Sequence, residues 1–172
     1  MQIKVLIVED DQAIRSSLNA YIEMLGHKVL TVESGEKAIV ALNESKPDLV
    51  LSDYNLGSNV MNGQDVLAKV KEIYPTCFVS IMTAYYEVKG AVQAMKTGAM
   101  DYICKPFNLG DIETLINRVI TEKNSVKDLN CLEKEHIIKV LADSQTYEEA
   151  ATKLGINMAT LWRKRKSYEI EK

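Results

Sequence analysis

Five short runs of nearly unbroken apolar residues, at 3–8, 29–32, 48–52, 77–83 and 101–104, recur along the chain between segments of helical periodicity. A strand wetted on one face alternates apolar and polar residues. One covered on both faces does not, and such strands belong to parallel sheets sandwiched between helices. The intervening stripes fit that arrangement. Ile14, Leu18, Tyr21, Ile22 and Leu25 share one helical face ended by Gly26, and Val88, Ala91, Val92 and Met95 share another ended by Gly98. Leu109, Ile112, Leu115, Ile116, Val119 and Ile120 form a third, and a helix over 64–74 stops before Pro75. The pattern to about residue 122 therefore predicts an α/β fold with a doubly wound, five-stranded parallel sheet.

Such a fold gathers the C-terminal ends of its strands on one edge, where ligands bind. Glu9, Asp10, Asp53 and Lys105 each sit at or just past the end of an apolar run, and Thr83 ends the fourth. Carboxylates brought that close repel one another unless a cation neutralises them. Magnesium suits the set, because it takes hard oxygen ligands and commonly bridges carboxylates to phosphate. An aspartate in that field can attack a phosphoryl donor and become an acyl phosphate, while metal and lysine offset charge on the transferring oxygens.

After a polar stretch at 121–130, predicted to be a short linker or a frayed helical extension, the pattern is purely helical. Ile137, Val140 and Leu141 mark one helix, Thr146 with Glu149 opens a second that ends before Gly155, and Asn157 caps a third. That third helix carries Arg163, Lys164, Arg165 and Lys166, a basic run hidden in a net charge of −3. Three helices in about forty residues make a small core, which favours association with a second copy.

The 172 residues allow one ordinary domain and one small one, and 47% hydrophobic content is enough for a real core. No stretch is apolar enough to span a membrane and no signal-peptide pattern opens the chain, so a cytoplasmic location is expected. Cys77, Cys104 and Cys131, odd in number and without CxxC spacing, fit reduced thiols. His27 and His136 lack metal-ligand spacing.

The segments VLIVEDD followed by Arg15, DLVLSDYN, SIMTAY and DYICKPF resemble the receiver domains of two-component response regulators. The resemblance covers about the first 120 residues and implies a flavodoxin-like sheet of order 2-1-3-4-5. It implies that Asp53 is the phosphoacceptor, that Glu9 and Asp10 are the acidic metal pair beside it, and that Asn55 lends a backbone carbonyl to Mg2+. Thr83 and Lys105 would contact the phosphoryl group, Tyr102 would be the switch aromatic, and the Lys105-Pro106 bond would be cis. Asp11 is the competing acidic residue, but alignment on Arg15 favours Glu9 and Asp10. One departure stands out: Gly57 replaces a proline usual four residues after the phosphoacceptor, and Gly63 comes two residues late. A longer loop over 56–62 is expected.

The segments EKEHIIKVL, EEAATKLGI and TLWRKRKSYEI resemble a Fis-type helix-turn-helix domain. In such motifs the N-terminal end of the third helix enters the major groove, so the resemblance implies DNA contacts at Asn157, Met158, Thr160, Trp162, Arg163, Lys164 and Lys166. Leu161 and Tyr168 should face the small core, whereas Arg165 stands where an apolar residue is expected. Receiver and Fis-type helices also flank the ATPase of enhancer-binding activators. Here no G-x-x-x-x-G-K-[ST] loop occurs, and about ten linker residues leave no room for that domain between them.

The domains expected are thus a receiver at 1–122, a linker at 123–130 and a helix-turn-helix unit at 131–172. Together they predict a DNA-binding response regulator, not an enzyme, phosphorylated on Asp53 by a sensor histidine kinase and acting as a homodimer on double-stranded DNA without a membrane partner. Two alternatives stand beside it: a signalling adaptor whose C-terminal helices bind protein, and a magnesium-dependent phosphatase working through an aspartyl phosphate.

Overall fold

The structure is a computed structural model that describes residues 1–57, 60–84 and 88–170. Five strands, β1 (Lys4–Val8), β2 (Lys28–Val32), β3 (Leu49–Asp53), β4 (Phe78–Thr83) and β5 (Asp101–Cys104), form one sheet of order β2-β1-β3-β4-β5. Every neighbouring pair is parallel. Val8 pairs with Ser52, Asp53 with Met82 and Thr83 with Cys104, so the strands end level on one edge. The expected fold and strand order are both observed.

Helices α1 (Gln12–Met24), α2 (Gly35–Ser45), α3 (Gly63–Ile73), α4 (Val88–Thr97) and α5 (Leu109–Ala142) follow the strands in turn. Two apolar layers result. Leu6, Val8, Val50, Val79 and Ile81 pack with Ala38, Leu42, Val66, Leu67 and Ala94, while Ile7, Leu49, Leu51 and Met82 pack with Leu18, Ile22, Ile112, Leu115 and Ile116. The central strand β3 is buried at every position, which is why its sequence shows no alternation. In α4 the stripe marks the helix but not its inward side. Val92 and Met95 are exposed and the small Ala94 is fully buried; the side chain of Val88 lies outside the described residues.

Contacts divide the chain into two compact units, Met1–Ile120 and Thr121–Lys172, with the boundary inside α5. Residues 123–130 are helical, so of the two forms predicted for that stretch, linker or helical extension, the extension is the one observed. Its apolar periodicity fails because Val126 and Leu129 are exposed and none of its described side chains lies in a core.

In the second unit the end of α5 joins α6 (Tyr147–Lys153) and α7 (Met158–Ser167). Ile137, Ala150, Ala151 and Leu161 form its core, with Val140, Leu141 and Tyr168 against it. The Thr146 hydroxyl accepts the Glu149 N–H at 3.2 Å, and the Asn157 carboxamide oxygen accepts the Thr160 N–H at 2.8 Å, so both residues are N-caps. The capping box expected of Thr146 and Glu149 is half formed, because the Glu149 carboxylate accepts the Gln145 N–H at 2.9 Å instead of that of Thr146. Gly155, at φ +66°, makes the turn between α6 and α7. No disulfide joins any of the three cysteines. No helix among the described residues is long and apolar enough to cross a membrane.

Candidate functional site

The level strand ends bring the predicted acidic residues together. One carboxylate oxygen from each of Glu9, Asp10 and Asp53 lies within 4.8 Å of the others. Glu9 and Asp53 are buried and Asp10 is exposed, giving the cluster one wet side. Lys105, carried by the loop after β5, closes the opposite side: its Nζ donates to Glu9 Oε2 at 2.7 Å and to Asp53 Oδ2 at 2.8 Å. The Lys105-Pro106 bond is cis, as the resemblance implied.

Asp11, the competing acidic residue, has another task. It is the N-cap of α1, accepting the N–H groups of Ala13 at 2.7 Å and Ile14 at 3.0 Å, and these bonds hold its carboxyl below the usual carboxylate range. Arg15 fixes the same loop by donating to the carbonyl oxygens of Glu9 at 2.6 Å and Asp10 at 3.1 Å.

The electrostatics of the cluster are those of one cation short. Burial pushes Glu9 up to about 7; the Asp53 charge adds to the rise, and the hydrogen bond from Lys105 opposes it. Burial works against the Lys105 ammonium, yet hydrogen bonds to Asp53 and Glu9 outweigh it and hold Lys105 above its ordinary value. Glu9 Oε1 is buried and has no hydrogen-bond partner among the described residues. An orphaned carboxylate oxygen is costly, and a hard divalent cation seated among three carboxylates would satisfy it.

Thr83 is buried at the end of β4, and the Lys105 N–H donates to its carbonyl oxygen at 2.6 Å. Asn55 lies in the loop after β3, where its N–H reaches Asp53 Oδ1 at 3.4 Å. Tyr102 is half-buried on β5 and packs against the α2–α3 side of the sheet.

Two glycines carry more of the site than their place in the sequence suggested. Gly57 holds φ +69°, and a Cβ there would stand 2.9 Å from Asp10 Oδ2. A side chain would be strained at that φ and would crowd the acidic pair. Gly63 opens α3, and a Cβ on it would run into the Asp53 carbonyl oxygen and stand 2.9 Å from Tyr54 Cα. The late glycine thus returns to the phosphoacceptor candidate after the longer loop; residues 58 and 59 of that loop lie outside the described residues.

In the second unit, α7 shows Met158, Ala159, Trp162, Arg163 and Lys166 on its exposed face. Leu161 is buried and Tyr168 packs beside it, as predicted. Lys164 turns the other way, donating to both carboxylate oxygens of Glu133 on α5 at 2.7 and 2.8 Å, and the Tyr168 hydroxyl donates to the same carboxylate. Glu133 is a partner the sequence did not reveal. Arg165 fills its apolar slot by laying its guanidinium 4.6 Å from the Tyr147 ring centroid, with Nε buried and without a hydrogen-bond partner among the described residues.

A five-stranded sheet in this order, with a carboxylate cluster and a lysine at its C-terminal edge, defines a receiver. The chain belongs to the response regulator receiver domain family, which matches residues 5–117, and residues 129–168 match the Fis family of bacterial regulatory proteins. It is 40% identical over 118 residues to the response regulator protein FleR of Pseudomonas aeruginosa, covering 69% of this chain and 24% of that one. It is 37% identical over 139 residues to the DNA-binding transcriptional regulator NtrC of Proteus hauseri, covering 81% and 28%. The chain therefore spans about a quarter of the length of these curated relatives. Among solved structures it resembles NtrX from Brucella abortus (TM-score 0.69, 28% identity, 75% of this chain and 30% of that one). It also resembles the receiver domain of a putative LuxO repressor protein from Vibrio parahaemolyticus (TM-score 0.67, 29% identity, 75% and 97%).

Proposed function

We propose that this protein is a DNA-binding response regulator of a two-component system, in which a sensor histidine kinase phosphorylates Asp53 and a Fis-type unit occupies DNA. The observation that carries the reading is the Glu9–Asp10–Asp53 cluster closed by Lys105 in the same chain as a helix-turn-helix match. The receiver assignment covers residues 1–122 and the helix-turn-helix assignment 131–172. Only residues 118–128 separate the two matched families, which supports direct joining without an ATPase domain between them.

In this reading the Asp53 carboxylate attacks phosphorus, the bond to the donor nitrogen breaks, and the donor imidazole leaves with the electron pair. Lys105, already on Asp53 Oδ2, moves to the new phosphoryl oxygens and offsets their charge. Thr83 donates its hydroxyl to the same group, and Tyr102 is the aromatic that responds. Mg2+ held by Glu9, Asp10, Asp53 and the Asn55 carbonyl supplies charge neutralisation when bound. The product is a modified regulator rather than a turned-over substrate. Val126, Leu129 and Leu132 leave an exposed apolar strip on α5, which supports pairing of two copies so that two recognition helices reach two half-sites. This protein would work in the cytoplasm, where both kinase and DNA are reached.

Labelling with acetyl phosphate and magnesium, comparing wild type with Asp53→Asn, tests the receiver half; selection of bound duplexes from a random-sequence pool tests the DNA half. Label lost in the variant together with a recovered two-fold motif is the expected result. Label without a motif would leave a receiver with a protein-binding tail, and a motif without label a regulator uncoupled from phosphorylation.

A further inference from the structure

The polar side chains at the start of α7 are largely spoken for. The Asn157 carboxamide oxygen accepts the Thr160 N–H, the Thr160 hydroxyl accepts a bond from Arg163 Nη2 at 3.2 Å, and Lys164 is held by Glu133. What the exposed face offers instead is apolar. Met158 is 41% exposed and Trp162 62% exposed, and Ala159 is exposed on the same face beyond Trp162. At ~100° per residue these three, Arg163 and Lys166 span an arc of about 140°. Lys166 Nζ lies 5.5 Å from the Trp162 ring centroid, so one cation rides on the indole itself. No acidic residue occurs in α7.

An apolar pair with Lys166 and Arg163 along one flank, and with Glu169 beside Trp162 just past the end of the helix, still presents apolar groups next to cations, which suits a polyanion with apolar groups between its charged rails. In the major groove the phosphates are those rails, and the C5-methyl of thymine is the one apolar group a base edge presents. Resting on the DNA-binding reading above, we propose that α7 reads thymine methyl groups with Trp162 and Met158, while Arg163 and Lys166 hold the flanking phosphates. Recognition by this helix is then chiefly a matter of shape and methyl burial, and its half-site carries thymine where those two side chains meet the groove.

The test uses the full chain and a fluorescently labelled duplex bearing the motif recovered from a random-sequence pool, synthesised either with thymine or with uracil throughout, which deletes only the methyl groups. Wild type is expected to bind the thymine duplex more tightly by about fourfold for each methyl it buries, Trp162→Ala and Met158→Ala each to show a smaller preference, and the double variant to bind the two duplexes with nearly equal affinity. Equal affinity of wild type for both duplexes would overturn the inference while leaving DNA binding in place. A thymine preference undiminished in Trp162→Ala and Met158→Ala would also overturn it, because the methyl reader would lie elsewhere. Failure to bind any duplex would overturn the DNA-binding reading itself.

Discussion

The carbonyl oxygen of Asp53 occupies the space that a side chain on Gly63 would need. Asp53 ends β3 and Gly63 begins α3, so the two ends of the longer loop are closed on each other, and the Gly63 N–H donates to the Tyr54 carbonyl at 2.9 Å. Gly63→Ala must push the Asp53 backbone aside. We expect a loss of stability of about 1–3 kcal/mol, the usual cost of overpacking, together with slower labelling of Asp53. Urea unfolding and acetyl phosphate labelling measure the two effects separately.

Glu9 gives the metal-free protein a pH dependence of definite sign. Its folded pKa, about 7, lies above the ordinary 4.5, so the folded state holds more protons than the unfolded one between those values. Stability is greatest below about 4.5 as far as this group is concerned and falls as pH rises through 7. Thermal unfolding without metal should show that decline, and Glu9→Gln should flatten it. Magnesium should restore stability at the alkaline end, because it binds the ionised cluster and relieves the repulsion.

Lys164 should behave unlike its basic neighbours. Arg163→Ala and Lys166→Ala are each expected to lower the slope of log affinity against log salt by about 1, the value for one phosphate contact. Lys164→Ala should leave that slope unchanged and slightly weaken the second unit, because its ammonium belongs to Glu133. Affinities measured over a salt series distinguish the three.

Arg165→Leu should stabilise the chain. The buried Nε without a partner carries a desolvation cost of roughly 1–3 kcal/mol, while the contact with Tyr147 returns only about 0.5–1 kcal/mol and the bond from Nη2 to the Ile170 carbonyl, at 3.5 Å, is long and weak. Filling the slot with an apolar side chain is expected to gain about 1 kcal/mol in urea unfolding.

The parts of this molecule that were legible in its sequence are those where burial dictates residue type. The β3 strand and the Ile14–Leu18–Ile22 face of α1 have apolar patterns that serve one sheet, and the family motifs mark the strand ends that hold the cluster. Other features depended on contacts between distant residues. Glu133 meets Lys164 from 31 positions away, and nothing local in either residue signals the pairing. Gly63 looked displaced because its partner is a backbone atom ten residues earlier, across a loop of unusual length. In α4 the periodicity of Val92 and Met95 was real, but the sequence does not say that Ala94 turns inward and leaves them exposed. Residues 123–130 kept a helical backbone while none of their described side chains serves a core, so the apolar signal that marks other helices vanished there.

Trp162 is the one tryptophan in the chain, set on the exposed face of α7, while the phosphoacceptor candidate lies in the other unit. Its fluorescence can be excited apart from that of the tyrosines, so the protein carries a built-in optical gauge on its C-terminal unit. A change in indole emission when Asp53 is phosphorylated without DNA would report a signal passing between the units. A change seen only when DNA is added would report the groove.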